Sequence, residues 1–229
     1  MPEFPGQSER PYGDNVPRRP RVEIAGGFFH VTARGNALAP LFLDRFDHSA
    51  FLGVLERTVE LFSWPCLAFC LMPNHYHLLI QTLHANRGAG MRHLNGSYAQ
   101  RFNARYDGSG HVFQGPYRAV EVRRGSHLLE VCRYIVLNPV RAALCHEVSD
   151  WRWSSYRATA GLDPAPPFMA ISDVLAQFGA SRDRSVRAYR GFIQDGVAAS
   201  AMSPDRVPGW ASGAGATPGS VSARRIATG

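Results

Sequence analysis

Two histidines separated by one residue lie inside a long apolar stretch in the middle of the chain, and this arrangement constrains the fold most. The stretch covers residues 65–81 and is interrupted by Met-Pro-Asn at residues 72–74, which predicts two neighbouring strands joined by a turn. Because successive side chains of a strand point to opposite faces, His75 and His77 project together while Tyr76 points away. Such a pair can hold a divalent metal ion, although half-buried strand histidines bonded to backbone groups are more common.

A second element, at residues 126–141, has the apolar spacing of a helix. Ser126 is its expected N-cap. We expect the helix to end near Asn138, because residue 139 is a proline and the residue before a proline avoids helical geometry. Tyr134 falls in a polar stripe of this helix rather than in its apolar stripe, with Asn138 one turn further on. Since most helical tyrosines are packing residues, this placement singles out Tyr134 for a chemical role.

The order of the predicted elements indicates a fold class. Strands are expected at residues 27–33, 65–71, 75–81 and 117–122, and helices at residues 47–62, 91–106 and 126–138. A β-α-β-β-α-β order of this kind predicts an α+β fold, the ferredoxin-like split βαβ sandwich. We expect its sheet to carry the histidines on a central strand and its helices to pack on one face.

Composition divides the chain into four regions. A flexible N-terminal arm is expected at residues 1–20, a single folded domain at 21–160, a linker with a small C-terminal helical extension at 161–197, and a disordered tail at 198–229. The extension is either an accessory that contacts a binding partner or a helical pair that caps the core.

The apolar runs and the cysteines indicate a compartment. No apolar run reaches the roughly 18 residues that a membrane span needs. The N-terminus also lacks a signal-peptide core, so we expect no membrane partner and a cytoplasmic location. The four cysteines fit this expectation as small core residues. The alternative is a zinc site made by Cys66, Cys70 and the histidine pair, which lacks the usual ligand spacing.

The positive charge of the chain favours a nucleic-acid partner. Its formal net charge is +7, and all 25 cationic side chains are arginine. Arginine binds phosphate bidentately and stacks on bases, although genomic codon bias would equally replace lysine throughout the chain. Tyr98, Phe113 and Tyr117 are candidates for stacking on unpaired bases. Six arginines near the two motif elements are expected to line a groove that binds a nucleic-acid phosphate backbone: Arg92, Arg101, Arg105, Arg118, Arg123 and Arg124.

Several motifs, in order, make the sequence resemble a known family, the HUH single-tyrosine transposases of the IS200-like type. It most closely resembles their REP-associated tyrosine transposase branch. The motifs are IAGGFFHVTARGN (24–36), LMPNHYHLLI (71–80), MRHLNGSYAQRFNARYDGSGHVFQGPYR (91–118), CRYIVLNPVRA (132–142) and WSSYRA (153–158). Each motif alone is weak, but their joint specificity is high, and they span roughly residues 20–160.

The resemblance implies an HUH endonuclease fold and a metal-dependent transposase that cleaves and rejoins single-stranded DNA. It makes His75 and His77 the metal-binding pair, Asn138 the third metal ligand and Tyr134 the nucleophile, with Mg²⁺ or Mn²⁺ as cofactor. The family's substrates are palindromes folded as hairpins, and its products are a 5′-phosphotyrosine and a free 3′-hydroxyl. The REP-associated branch implies a monomer, whereas insertion-sequence relatives act as homodimers that exchange tyrosine helices. The helix patterning leaves both states open.

Three alternatives remain at the level of sequence. Tyr76 stands where the family has a bulky hydrophobic residue and is a rival nucleophile, but strand alternation turns it away from the histidines. A second possibility is a binding module that holds structured DNA or RNA without cleaving it. The third is a phosphodiesterase in which the metal ion activates water, with Tyr134 structural and Glu121 or Glu130 as the carboxylate near the metal.

Overall fold

The computed structural model describes residues 23–202. The predicted arm at residues 1–20 and residues 203–229 of the predicted tail lie outside the described residues. Short 3₁₀ helices at Asn36–Leu38, Val148–Asp150 and Ala176–Phe178 lie between the main elements. Those elements are β1 (Gly27–Arg34), α1 (Arg45–Phe62), β2 (Cys66–Met72), β3 (His75–Thr82), α2 (Arg87–Arg105), β4 (Arg118–Val122), α3 (Ser126–Arg141), α4 (Tyr156–Thr159), α5 (Ile171–Leu175) and α6 (Arg182–Met202).

The four strands form one antiparallel sheet in the order β2-β3-β1-β4. In each of the units β1-α1-β2 and β3-α2-β4, the two strands are therefore separated by one strand of the other unit. This is the split βαβ arrangement, so the predicted ferredoxin-like sandwich is confirmed. The histidine strand β3 is central, as expected.

One face of the sheet forms the main core with α1 and α2. Register places Val31 of β1 beside Leu78 of β3, and both side chains are fully buried. Tyr98 of α2 packs edge-on against Phe51 of α1, with ring centroids 5.2 Å apart. Gly90 allows α2 to approach closely, because an added Cβ there would lie 2.2 Å from the nearby Trp64 ring.

The opposite face of the sheet is covered by α3, so the expectation that the helices pack on one face is wrong. The reason lies in β2, whose seven residues are all buried. A strand that is apolar on both sides needs cover on both faces. Packed over β2 and β3, α3 supplies the second cover and leaves β1 and β4 less protected on this side.

Helix α3 continues through Pro139 to Arg141, so the expected end near Asn138 is also wrong. Proline has no backbone N–H for the carbonyl of Ile135, four residues earlier. The side-chain amide of Asn138 compensates, because its Nδ2 donates to the carbonyl oxygens of Tyr134 at 2.9 Å and Ile135 at 3.3 Å. The helix begins at Ser126, and Gly125, with a φ of 77°, occupies the N-cap position expected for Ser126.

The C-terminal extension packs against α3 and caps the core. Tyr189 and Ile193 of α6 are buried, and the guanidinium of Arg133 on α3 lies 4.3 Å from the centroid of the Phe192 ring. Helix α6 continues to Met202, past residue 198, where the sequence predicts the start of the tail. Helix α3 is thus held between its own sheet and α6. Among the described residues, no helix combines the length and apolarity needed to cross a membrane.

Residues 153–155 protect the outer edge of the sheet at β2. The backbone N–H of Leu71 donates to the carbonyl of Trp153 at 2.8 Å, and the N–H of Ser155 donates to the carbonyl of Phe69 at 2.9 Å. These bonds satisfy the edge of β2 in the way an added strand would. The WSSYRA motif therefore has a structural role. The strand at the opposite edge of the sheet is β4.

Candidate active site

Strand β3 and helix α3 bring the predicted histidine pair and the predicted tyrosine together within one chain. His75 and His77 project from the face of the sheet that α3 covers, and their ring centroids are 5.1 Å apart. The ring of Tyr134 meets the ring of His77 edge-on, with centroids 5.7 Å apart. Strand alternation and helical spacing thus orient all three side chains towards the same point between the two elements.

Tyr134 is only 8% exposed, so the prediction that it lies in a polar stripe away from the core is wrong. Tyr134 faces the histidines rather than solvent because α3 packs against the sheet. Burial raises the pKa of the Tyr134 phenol, and the nearby Arg141 guanidinium, 5.3 Å from the ring centroid, partly opposes that rise. The phenol is therefore protonated at neutral pH and has to lose its proton when it attacks.

A third histidine, which the sequence reasoning missed, belongs to the same cluster. Nε2 of His30 on β1 lies 2.9 Å from Nδ1 of His77, and the two rings are nearly parallel, with an interplanar angle of 12°. The ring of Tyr134 also meets His30 edge-on, with centroids 5.9 Å apart. The alternation of polar residues in His-Val-Thr-Ala-Arg at residues 30–34 was the available signal. This alternation identifies a polar face of β1, but it does not show which strand pairs with β1.

Hydrogen bonds orient both members of the histidine pair. Nδ1 of His75 lies 2.8 Å from Oδ1 of Asn74, and Nδ2 of Asn74 donates to the carbonyl of Leu38 at 3.1 Å. His77 is held through Nδ1 by His30, while its Nε2 is buried and forms no hydrogen bond within the described part of the chain. A buried nitrogen of this kind fits a metal ligand, because buried polar atoms otherwise find a partner.

All three imidazoles are neutral at pH 7. Burial lowers the pKa of His30 to about 4, and burial together with the charge of Arg34 lowers the pKa of His75 to about 4. The pKa of His77 lies well below its ordinary value, chiefly through burial and also through His30, His75 and Arg34. The neutral imidazole is the form that binds a metal ion.

Arg34 is a further residue of this site that the sequence reasoning did not select. It lies directly across from His75 in the β1–β3 pairing and is partly buried. Its guanidinium forms no hydrogen bond or ion pair with any residue between positions 23 and 202. A cation beside two neutral histidines and without a carboxylate partner is suited to an anionic ligand such as phosphate.

The donor atoms of the cluster fit a divalent metal ion only if an amide completes the set. Between residues 23 and 202, no three His, Cys, Asp or Glu side chains are arranged to hold a metal ion, so the alternative zinc site with Cys66 and Cys70 does not form. Asn138 lies on α3 one turn beyond Tyr134, and its Nδ2 is used by the helix carbonyls. Its Oδ1 is therefore the atom left to act as the predicted third ligand.

The six predicted DNA-binding arginines separate into two groups. Arg118 lies on β4 opposite Thr32, on the same face as the histidines, and Arg123 and Arg124 follow β4 directly. Arg92, Arg101 and Arg105 lie on α2, which packs on the other side of the sheet. Arg105 is also paired with two carboxylates, those of Asp44 at 2.5 Å and Asp47 at 2.7 Å.

Two of the three aromatic residues predicted to stack on bases are buried in the core. Tyr98 is 1% exposed and Tyr117 is 7% exposed, so neither ring is accessible to a base, and that part of the prediction is wrong. Phe113 is partly exposed. Phe28 of β1 is also partly exposed, and the guanidinium of Arg124 lies 5.0 Å from its ring centroid. Phe28 is therefore an aromatic residue on the histidine face that the sequence reasoning missed.

The structure weakens two of the alternatives drawn from the sequence. The hydroxyl of Tyr76 donates to Oδ1 of Asn95 on α2, and its ring is fully buried in the core on the far side of the sheet. Glu121 pairs with Phe29 and so shares the core-facing side of β1, while Glu130 forms an ion pair with Arg133 at 2.5 Å. Neither carboxylate faces the histidines, and Tyr76 cannot reach them.

We expect the protein to lose stability as the pH falls from about 6.5 to about 4. Folded His30 has a pKa of about 4 against 6.5 for an unfolded histidine, so in this window the unfolded chain binds more protons and gains stability relative to the folded chain. From pH 7 to pH 5, His30 alone should lower the free energy of unfolding by about 2 kcal/mol. Chemical denaturation at the two pH values measures this change.

A His30→Gln variant should reduce that pH dependence by the contribution of His30, because His75 and His77 also have lowered pKa values and still contribute. The matched change His84→Gln at an exposed histidine should leave the pH dependence as in the wild type. An unfolding free energy that is constant from pH 7 to pH 5, or a His30→Gln variant with the full wild-type slope, would contradict the assignment of a buried neutral imidazole.

The chain is similar to known transposases in sequence and in fold. Residues 28–138 match a family model described as transposase, IS200-like. Among solved structures, a REP-associated tyrosine transposase bound to a REP hairpin aligns with a TM-score of 0.55 at 18% sequence identity, covering 66% of this chain and 92% of that chain. At this identity the likeness concerns the fold alone.

A crystal structure from Deinococcus radiodurans R1, of a protein assigned provisionally as a transposase, aligns with a TM-score of 0.36 at 14% identity. The alignment covers 64% of this chain and 98% of that chain, and a TM-score this low does not establish a common fold. No curated protein matches the chain.

Proposed function

This chain belongs to the IS200-like transposase family through residues 28–138, and from that premise we propose that it cuts and rejoins single-stranded DNA through a covalent bond to Tyr134. The observation that carries the proposal is the edge-on contact between the rings of Tyr134 and His77, 5.7 Å apart, within a single chain. The rings of His77 and His30 both meet this tyrosine edge-on, and both imidazoles are neutral at pH 7.

The reaction is a transesterification. The phenol oxygen of Tyr134 attacks the phosphorus of a phosphodiester, the bond from phosphorus to the 3′ oxygen breaks, and a proton passes from the phenol to that oxygen. The products are a 5′-phosphotyrosine and a free 3′-hydroxyl. Because the number of phosphate ester bonds does not change, a 3′-hydroxyl can attack the phosphotyrosine later and restore a DNA strand without ATP.

His75, His77 and the Oδ1 atom of Asn138 are the residues that would hold a divalent ion, with Mg²⁺ or Mn²⁺ suited to nitrogen and oxygen ligands. Such an ion supplies positive charge that stabilises the negative charge on the phosphate oxygens in the transition state. The support within the chain is the buried Nε2 of His77, which has no hydrogen-bond partner among residues 23–202.

The DNA strand would lie across β1 and β4, on the part of the histidine face that α3 covers least. This surface carries the guanidinium groups of Arg34, Arg118 and Arg124, together with the partly exposed ring of Phe28. Arginine contacts to phosphates and an aromatic ring for base stacking are the usual means of binding single strands. The fold neighbour was solved with a REP hairpin, so a DNA hairpin is the first substrate to test.

We also propose that the protein acts as a monomer. Helix α3 packs on its own sheet and is covered by α6, where an added Cβ at Gly196 would lie 2.6 Å from Cδ of Arg133. Exchange of α3 between two subunits would have to break this close packing. The contacts with α6 therefore favour a site built from one chain.

Arg34→Gln should slow adduct formation about 10²-fold to 10³-fold, because it removes a cation positioned against the phosphate charge of the transition state. Metal affinity should change little, since Arg34 is not a ligand. Single-turnover kinetics with a labelled hairpin measure the rate. Arg57→Gln removes the same charge from an exposed position on α1 and should react like the wild type; equal rates for the two variants would exclude this role.

The proposed function is tested by incubating the wild-type protein and Mn²⁺ with single-stranded hairpin oligonucleotides copied from palindromes that flank its own gene. A protein–DNA adduct that survives denaturing electrophoresis supports the covalent mechanism. Cleavage without an adduct would favour activation of water, and tight binding with neither would favour a binding module.

A further inference from the structure

The hydrogen bond between His30 and His77 has two possible polarities, and the choice decides whether His77 can bind a metal ion. The bond joins Nε2 of His30 to Nδ1 of His77 at 2.9 Å, and the two residues are only 5% and 6% exposed. A neutral imidazole carries one N–H. Either His77 donates from Nδ1 and keeps a lone pair on Nε2, or His30 donates and His77 carries its proton on Nε2.

The second polarity leaves a buried donor without an acceptor. In that arrangement the N–H of His77 would be at Nε2, which is buried and forms no hydrogen bond within the described part of the chain. Buried N–H groups without an acceptor are rare, whereas a buried acceptor without a donor is tolerated more often. The first polarity avoids the orphaned donor and leaves an unshared lone pair on the same nitrogen.

His75 provides an internal comparison in which the polarity is not ambiguous. Nδ2 of Asn74 donates to the carbonyl of Leu38, so the atom that Asn74 presents to His75 is the acceptor Oδ1. Nδ1 of His75 must then be the donor, and the lone pair of His75 lies on Nε2. Asn74, on the turn between β2 and β3, thus orients His75. His30, on β1, is available to orient His77 in the same way.

We propose that His30 is a positioning residue that accepts a hydrogen bond from Nδ1 of His77 and thereby presents the Nε2 lone pair of His77 to the metal ion. The inference rests on the proposed function, because it concerns the metal site of that reaction. Partners of this kind fix both the tautomer and the ring orientation of a ligating histidine. His30 itself touches neither metal nor DNA in this role.

The tautomer can be measured directly on the metal-free wild-type protein. Nitrogen-15 NMR of the histidine side chains distinguishes protonated from unprotonated ring nitrogens. We expect Nδ1 of His77 to be protonated and Nε2 to be unprotonated. A proton on Nε2 of His77 would overturn the proposal. This measurement requires no substitution, so it decides the matter even if a His30 variant does not fold.

Metal affinity provides the second readout. His30→Phe keeps a ring but removes the acceptor, and it should weaken Mn²⁺ binding about 10-fold to 100-fold in calorimetric titration without DNA. His30→Gln places Oε1 near the position of Nε2 and should recover most of the affinity. Asn74→Leu should cause a similar loss through His75. His48→Phe, at a buried histidine on α1, is the matched control and should bind Mn²⁺ as the wild type does.

A His30→Phe variant that is folded and binds Mn²⁺ with wild-type affinity would overturn the proposal. A loss that His30→Gln restores and His48→Phe does not reproduce would support it. If the wild type binds no Mn²⁺ while His77 has the expected tautomer, the metal dependence of the proposed function fails, and the hydrogen-bond polarity assigned to His30 remains supported by the NMR result.

Discussion

A Tyr134→Phe variant is expected to bind hairpin DNA and Mn²⁺ as the wild type does and to form no covalent adduct. The substitution removes one oxygen from a ring that is 8% exposed, so the packing against His77 and His30 is retained. Without the phenol oxygen no phosphotyrosine can form. Loss of a nucleophile lowers enzymatic rates by about 10³-fold or more, so cleavage should fall below detection.

Tyr76→Phe is the matched control for this result. Tyr76 is the rival nucleophile next to the histidines in sequence, but its hydroxyl donates to Asn95 in the opposite core. The control should form the adduct at nearly the wild-type rate. Denaturing electrophoresis with labelled DNA, together with mass spectrometry of the adduct peptide, identifies the modified residue. An adduct in Tyr134→Phe, or cleavage that persists without one, would contradict the assignment of Tyr134.

His75→Ala is expected to have the second largest effect, a loss of Mn²⁺ affinity of at least about 10²-fold together with loss of adduct formation. His75 is the better choice for this test because it is partly exposed, whereas His77 is buried and bonded to His30. Removing His77 would leave the ring of His30 without its hydrogen-bond partner. A lower metal affinity in that variant could then not be separated from a lower stability of the fold. Removing His75 should change the free energy of unfolding by only about 1 kcal/mol.

The matched control for His75→Ala is His84→Ala, which removes an exposed histidine just beyond the end of the same strand. It should leave Mn²⁺ affinity and adduct yield unchanged. Isothermal titration measures the affinity, and a thermal melt checks that each variant is folded. Wild-type Mn²⁺ affinity in His75→Ala would exclude the histidine pair as the metal site.

Local patterns in the sequence predicted several residues of the site correctly, because strand alternation and helical spacing depend only on nearby residues. The two-residue period of a strand put His75 and His77 on one face and Tyr76 on the other, and β3 has this arrangement. The predicted end of α3 before Pro139 was wrong, because the rule that a helix ends before proline assumes that no other donor replaces the missing N–H of proline. The side-chain amide of Asn138 is such a donor, since it donates to the carbonyl that proline leaves without a partner.

Residues joined by pairing between distant segments could not be recognised in the same way. His30 and Arg34 enter the site only because β1 pairs with β3 in one register, with Arg34 opposite His75. A shift of one residue would turn both side chains to the other face. Arg92 and Arg101 were selected for their closeness in sequence to the motifs, but α2 packs on the far side of the sheet.

By itself the sequence determined the order of strands and helices, the common face of His75 and His77, and the spacing of Tyr134 and Asn138 on one helix. These features follow from backbone geometry and steric preferences within a few residues. The tertiary structure alone decided that Tyr134 is buried against His77, that His30 holds His77, and that α6 covers α3. Each of these contacts joins segments far apart in the chain, and long-range packing rather than local preference brings them together.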